Sequence, residues 1–287
     1  MALFMFSCSA DKTSKSQLFD STSLLKNNTK TGKKIIVAVI DTGVDINHND
    51  IKAHLWISKN GKDNGWNFVD NNNDLTDNIG HGTHVAGIIA SASPNVSLMI
   101  LKYYDSNPDS HKNAFNNSLR ALKYAIDNNA DVINYSGGGS GASTEELELL
   151  KEAESKGIIV VSAAGNESKD IDINPYYPAS YKLSNIITVA SLGADGKLLQ
   201  ESNYGRKTVD IAVPGEDILS SLPGNKHGYL TGTSQSTAFV ASMVVSIKLS
   251  NSVSGVKNIK QLISNYDKTW NHANSKLVVN FSTVSNI

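Results

Sequence analysis

One cysteine, Cys8, stands in 287 residues, so no intrachain disulfide can form and stability has to come from a buried core. Charge of one sign is equally lacking. The 26 basic and 27 acidic residues are well mixed and leave a formal net charge of -1, which argues against a nucleic-acid footprint or a polybasic membrane patch. Long apolar runs are missing too. Ile35 to Ile40 and Ala241 to Ile247 fall far short of the roughly 18 residues of a membrane span, so the folded part is expected to be soluble. There is no internal repeat, and no glycine-rich phosphate loop opens the first helix, which disfavours a nucleotide-binding domain. What is present, 40% hydrophobic and 18% charged residues, suffices for a sizeable core in a single α/β domain.

Cys8 follows a short apolar stretch, Met1 to Phe6, and then Ser7. That reads as the tail of a bacterial lipoprotein signal whose cysteine becomes a lipid anchor, although no basic start precedes it. It reads equally as an expression start on a disordered end. Residues 1–32 are therefore expected to form an N-terminal arm, and the protein to be exported, secreted or lipid-anchored at a bacterial cell envelope. Residues 33–287 show no linker and are expected to be one domain.

Lys34 to Ile40 is a continuous β-branched run of the kind a central parallel strand requires, and it ends at Asp41-Thr42-Gly43. A polar loop to Gly80, a small-residue helix His81 to Ala92 and a strand Ser97 to Tyr104 follow. A helix over Asn113 to Asn128, a strand Asp131 to Tyr135 and a helix opened by the capping-box pattern Ser143-Thr144-Glu145-Glu146 continue the alternation. Strands Ile158 to Ser162, Ile186 to Ala190 and Val209 to Val213 come next. Ile218 to Leu222 and Tyr229 to Thr231, joined by Pro223-Gly224-Asn225, read as a hairpin; helices from Ser234 and near Val256 to Tyr266 and a strand Leu277 to Phe281 close the chain. This pattern predicts an α/β fold, three layers α/β/α around a mainly parallel, doubly wound sheet, with its site at the carboxyl ends of the strands.

Four residues fall at such ends. Ser234, between the Gly232 turn and an apolar helix, is a hydroxyl that needs a base, an orienting group and oxyanion donors before it can attack a carbonyl. His81 at a helix start suits a general base, and Asp41 after the first strand suits its orienter. Asn166, after Ser162-Ala163-Ala164-Gly165, can point an amide into the same cleft. Each has a plainer reading: Asp41 as a turn aspartate, Ser234 as a helix cap, Asn166 as a loop residue. His84 is expected to be structural, and no metal is read for the chemistry, because Gly-Thr stands between His81 and His84 where a zinc protease carries glutamate at different spacing.

Taken together, Asp41-Thr42-Gly43-Val44-Asp45, His81-Gly82-Thr83-His84-Val85-Ala86-Gly87, Ala163-Ala164-Gly165-Asn166 and Gly232-Thr233-Ser234, in that order, resemble the subtilisin-like serine proteases, the subtilases. Trp66 to Asp77, Tyr177 to Tyr181, Ser202 to Gly205 and Leu222 to Asn225 are similar to the family as well. The order Asp, His, Ser is that of subtilisin. The resemblance implies peptide-bond hydrolysis through an acyl-enzyme, with Ser234 as nucleophile, His81 as base and then acid, Asp41 as orienter and Asn166 in the oxyanion hole. It further implies a polypeptide substrate paired along Tyr135-Ser136-Gly137-Gly138 as an added strand. The primary pocket would lie between Ser136, Gly137 and Gly138 on one side and Ala163, Ala164 and Gly165 on the other. Walls so small and uncharged predict a large apolar residue before the cut bond, and a monomer is expected.

The sequence departs from the family in three respects. Ala238 stands where the family has proline, with Gln235 and Ser236 in place of Met-Ala. A proline in the first helical turn fixes φ and lacks an N–H, so alanine is expected to loosen the helix start and to let an amine compete with water for the acyl-enzyme, giving transpeptidation. A peptide- or partner-binding relative with weak or no proteolysis is the other alternative. The connection Ser91 to Val96 is shorter than the loop that helps bind calcium in many relatives. Asp70, Asn72, Asp74 and Thr76 nevertheless offer oxygens for a structural calcium, or form a solvated turn. Only 40 residues precede Asp41, so a prosegment of the usual kind is not expected within this sequence: either this is a mature form from which it was removed, or the protein folds without one.

Overall fold

The computed structural model describes residues 34–91, 94–250 and 253–266. Strand β1 (Ile35–Asp41) is buried except at half-buried Ile36, and its side chains alternate between two cores. Ile35, Val37 and Val39 join one cluster, whereas Ala38 and Ile40 join the other. A strand covered on both faces has no solvent side, which is why its sequence is a continuous apolar run. Each such side chain contributes about 1.5–3 kcal/mol on burial.

Around it lie β2 (Gly65–Asn67), β3 (Val96–Lys102), β4 (Val132–Tyr135), β5 (Ile159–Ala163), β6 (Ile186–Leu192) and β7 (Ile211–Pro214). All seven are parallel, in the order β2-β3-β1-β4-β5-β6-β7. Ile35 pairs with Val96, Val37 with Val132 and Val132 with Ile159, so the carboxyl ends of β1, β4 and β5 stand side by side.

Helices α1 (His81–Ser91), α4 (Thr233–Ser250) and α5 (Val256–Tyr266) cover one face, and α2 (Pro108–Asp127) with α3 (Thr144–Ser155) the other. The expected three-layer fold is therefore found. An antiparallel hairpin, β8 (Ile218–Leu222) and β9 (Lys226–Leu230), leads directly into α4.

Several local expectations are refined. β2 lies inside the stretch read as a polar loop; three residues are too few to show periodicity. The seventh strand starts at Ile211 rather than Val209. Ser143 caps α3 by accepting from the Glu146 N–H at 3.3 Å, but the reciprocal half of the capping box is missing, because the Ser143 N–H donates to the Tyr181 hydroxyl at 2.7 Å. Glu146 is instead buried against Tyr181, and burial pushes its carboxyl up to about 7. Ala238 is the sixth residue of α4, so it sits in the second turn and not the first. There its N–H continues the helix, which runs unbroken from Thr233. Residues 1–32 with Cys8, and the strand expected at Leu277 to Phe281, lie outside the described residues.

Candidate active site

Asp41 closes β1 and is 3% exposed. Its Oδ1 accepts from the Thr42 N–H at 2.8 Å and meets His81 Nδ1 at 2.7 Å. A carboxylate only accepts, so Nδ1 carries the proton and Nε2 holds the lone pair. Burial alone would lower the His81 pKa, but the charge of Asp41, its hydrogen bond and the charge of Asp77 together raise it above the ordinary value.

His81 can come so close because the next residue has no side chain. A methyl group at Gly82 would lie 2.2 Å from the Gly43 carbonyl oxygen and 3.2 Å from Asp41 Oδ1. The start of α1 is fixed by Asp77, a residue that the sequence reading passed over. Its buried carboxylate accepts from Thr42 Oγ1, the N–H groups of Ile79, Gly80 and Thr83, and Thr83 Oγ1, at 2.6 to 3.1 Å. Thr42 Oγ1 in turn accepts from the Gly82 N–H at 2.9 Å. An acidic group four residues before His81 was the available signal, since a carboxylate at a helix start satisfies free N–H groups and the helix dipole.

Ser234 is the second residue of α4, buried at 3% exposure, and its hydroxyl donates to the Ser136 carbonyl at 3.2 Å. Its N–H belongs to the first helical turn, where N–H groups lack an intrahelical acceptor. Asn166 follows β5. Its Oδ1 accepts from the Thr233 N–H at 3.0 Å and from Thr233 Oγ1 at 3.1 Å, which fixes the amide orientation and turns Nδ2 away as a donor. Asn203 holds the loop that carries Asn166: it donates to the Ala164 carbonyl at 2.8 Å and accepts from the N–H groups of Glu167 and Lys169. The candidates thus stand at the carboxyl ends of strands and at two helix starts: Asp41 touches His81, Ser234 bonds Ser136 after β4, and Asn166 after β5 bonds Thr233 beside Ser234.

Tyr176 stands beside both of the segments expected to wall the primary pocket. Gly139 and Tyr177 exchange backbone hydrogen bonds at 2.9 and 2.7 Å, which brings Tyr176 beside both walls. A methyl group at Gly138 would lie 2.5 Å from Tyr176 Cε1, and one at Gly165 would lie 3.0 Å from its Cζ. The Tyr103 hydroxyl takes the place of a side chain at Gly137, at 2.3 Å from such a methyl group. Two tyrosines distant in sequence supply the bulk that the walls lack.

His84 is 0% exposed and faces the carbonyls of Ile218 and Gly228 at 2.9 and 3.2 Å, so Nε2 carries its proton and ties α1 to the hairpin. Burial lowers its pKa to about 4. In the loop considered for calcium, side-chain oxygens are engaged by the chain itself. Asn72 Oδ1 accepts from the Asp74 N–H, Asp74 Oδ1 from the Thr76 N–H and hydroxyl, and Asp70 Oδ2 from Asn67. These are turn contacts, which a cation would have to displace.

The Subtilase family model matches residues 32–278. A similar curated protein is the major intracellular serine protease of Bacillus subtilis (strain 168), 36% identical over 228 residues that cover 76% of this chain and 69% of that one. Subtilisin-like protease 2 of Plasmodium falciparum (isolate 3D7) is 35% identical over 226 residues; the match takes in 72% of this chain and only 16% of that protein. Among solved structures, a cold-adapted subtilisin-like serine proteinase matches with a TM-score of 0.69 at 28% identity, covering 84% of both chains.

Proposed function

The chain belongs to the subtilase family, and from that premise we propose that residues 33–287 form a serine endopeptidase that works through an acyl-enzyme. The observation that carries this reading is the buried 2.7 Å contact of His81 Nδ1 with Asp41 at the end of β1, beside β4, after which Ser136 meets Ser234. In the proposed reaction Ser234 Oγ attacks the substrate carbonyl while its proton passes to His81 Nε2. Asp41 stabilises the imidazolium so formed. The Ser234 N–H and Asn166 Nδ2 donate to the oxyanion. His81 then gives its proton to the leaving amine, and water repeats the sequence on the acyl group. Before attack the Ser234 hydroxyl has to leave the Ser136 carbonyl. An extended substrate bound along Ser136, Gly137 and Gly138 would favour that change.

The Tyr176 ring between Gly138 and Gly165 favours a shallow primary pocket and a small residue before the cut bond. This replaces the large apolar residue suggested by wall composition alone. Digestion of a peptide library is expected to show cuts after small residues, and Tyr176→Gly is expected to move the preference toward large apolar ones. An unchanged preference in the variant would overturn the pocket assignment.

Hydrolysis itself is tested on an unfolded protein substrate, with and without a high concentration of added amine. Cleavage lost in Ser234→Ala supports the reading, amine-capped products would favour transpeptidation, and no turnover of any kind would favour a binding protein. Calcium is left out of the proposed chemistry. We also propose a monomer, which light scattering of the purified chain checks.

No helix among the described residues is long and apolar enough to cross a membrane. Export or anchoring through Cys8 rests on the first eight residues alone, and the Bacillus subtilis relative is named an intracellular protease. Radiolabelled palmitate incorporated by the wild type but not by Cys8→Ala would support anchoring, and equal labelling would oppose it.

A further inference from the structure

A second group of ionisable side chains lies away from the candidate active site, where the loop after β1 meets the β8–β9 hairpin. His48 is 0% exposed, whereas the side chains of Asp50 and His227 are 48% and 51% exposed. One ligand atom from each of the three falls within 4.8 Å of the other two. His227 Nε2 is 2.7 Å from Asp50 Oδ2, and His48 Nδ1 is 3.7 Å from the same oxygen. The two imidazoles stand edge to face with centroids 5.2 Å apart.

The tautomer of His48 is fixed by its neighbours. Nε2 faces the Lys226 carbonyl at 2.9 Å, which can only accept, so the proton is on Nε2. Nδ1 is left as the acceptor: it takes a long 3.2 Å bond from the Asp50 N–H and lies 3.7 Å from the Asp50 carboxylate, so a cation bound there has only that long backbone contact to displace. A ring N–H held by a backbone carbonyl is the outer contact that metal-bound histidines generally have. Asp50 Oδ2 is likewise supported by the Ser221 hydroxyl at 3.0 Å.

We propose that His48 Nδ1, Asp50 Oδ2 and His227 Nε2 form a binding site for a borderline transition-metal ion, zinc in the first instance. Two imidazoles and one carboxylate are the ligand types that zinc takes at about 2.0–2.2 Å, and tetrahedral bonds of that length separate ligand atoms by about 3.3–3.6 Å. The observed 2.7 and 3.7 Å lie on either side of that value, and the two nitrogens lie within 4.8 Å of each other, so the three atoms have to draw together around the ion. Zinc would take the place of the proton between His227 Nε2 and Asp50: a neutral ring then keeps its one proton on Nδ1, and a protonated ring releases one to solvent. A single carboxylate among nitrogen ligands is a poor set for calcium, which prefers six to eight oxygens. The exposed sides of Asp50 and His227 leave the fourth position to water. The ion would clasp the loop after Asp41 to the strand that runs into Ser234, and it would act on the frame of the site rather than on its chemistry.

The test is calorimetric titration of the full chain, freed of metal by chelator, with zinc chloride, together with visible spectroscopy of a cobalt(II) titration. One equivalent of zinc bound, with a tetrahedral cobalt spectrum, is expected, and affinity should fall at least ~10-fold in His227→Gln and in Asp50→Asn, given that losing even an outer contact weakens binding ~10–100-fold. Both variants alter half-exposed residues, and far-ultraviolet circular dichroism checks that they fold. Absence of binding to the wild type, binding that survives either substitution, or binding of calcium in preference to zinc would each overturn the proposal.

Discussion

The imidazole of His81 is held between opposing influences. Burial disfavours its charged form, yet Asp41, in contact at 2.7 Å, and the nearby Asp77 outweigh that and raise its pKa. A base that must be neutral to act therefore loses activity as pH falls through a value above that of an ordinary histidine. Asp41→Asn removes the charge, so the acid limb of the kcat/KM profile is expected to move to lower pH. At the same time kcat should fall by about 10⁴-fold, as when the aspartate of such a triad is neutralised in other serine proteases. A limb that stays in place would mean that Asp41 does not set the histidine's charge.

At the scale of elements, α4 decides how Ser234 is presented. The hydroxyls just after Ser234 are buried but satisfied: Ser236 Oγ bonds the Val213 carbonyl at 3.0 Å, and Thr237 Oγ1 bonds the Thr233 carbonyl at 2.7 Å. Gln235 differs, because its side-chain Nε2 is buried with no hydrogen-bond partner among the described residues. An unmet buried donor costs about 1–3 kcal/mol. Gln235→Met is therefore expected to raise Tm by roughly 2–4 °C per kcal/mol recovered, in a melting scan on the Ser234→Ala background. A lower Tm would show that the amide is satisfied in solution.

What could be read from the residues alone follows the same physics. The central strands were legible because a strand buried on both faces writes an uninterrupted apolar run, as β1 does. Asp41, His81, Asn166 and Ser234 stood out as candidates because each lies at a strand end or a helix start beside small residues, in Asp-Thr-Gly, His-Gly, Gly-Asn and Gly-Thr-Ser. Asp77 was missed although it stands near His81, because an aspartate in a polar loop looks like any other. Tyr176 was missed because its contact with Gly138 depends on a strand-like bridge between Gly139 and Tyr177, which no local pattern encodes. His227 and Asp50 are 177 positions apart and are joined only by the fold.

For the whole molecule, two buried groups give opposite pH dependences. Glu146 titrates near 7 in the fold against about 4.5 ordinarily. The folded state then binds the extra proton, and this contribution is present below about 4.5 and lost as pH rises through 7. His84, lowered to about 4, binds its proton only when unfolded, so its contribution is present above 6.5 and lost as pH falls toward 4. The two largely offset each other between pH 5 and 8. In Glu146→Gln only the histidine remains, so stability from urea unfolding should gain up to about 3 kcal/mol more between pH 5 and 8 than in the parent chain. Equal gains would place Glu146 in contact with solvent.

The central claim is that Ser234 is a nucleophile activated by His81. It is tested most directly by treating the full chain with a sulfonyl fluoride and locating the adduct by mass spectrometry. One adduct on Ser234 is expected, forming far more slowly in His81→Ala and absent in Ser234→Ala. An adduct that persists in Ser234→Ala, or an unlabelled wild type, would contradict the account.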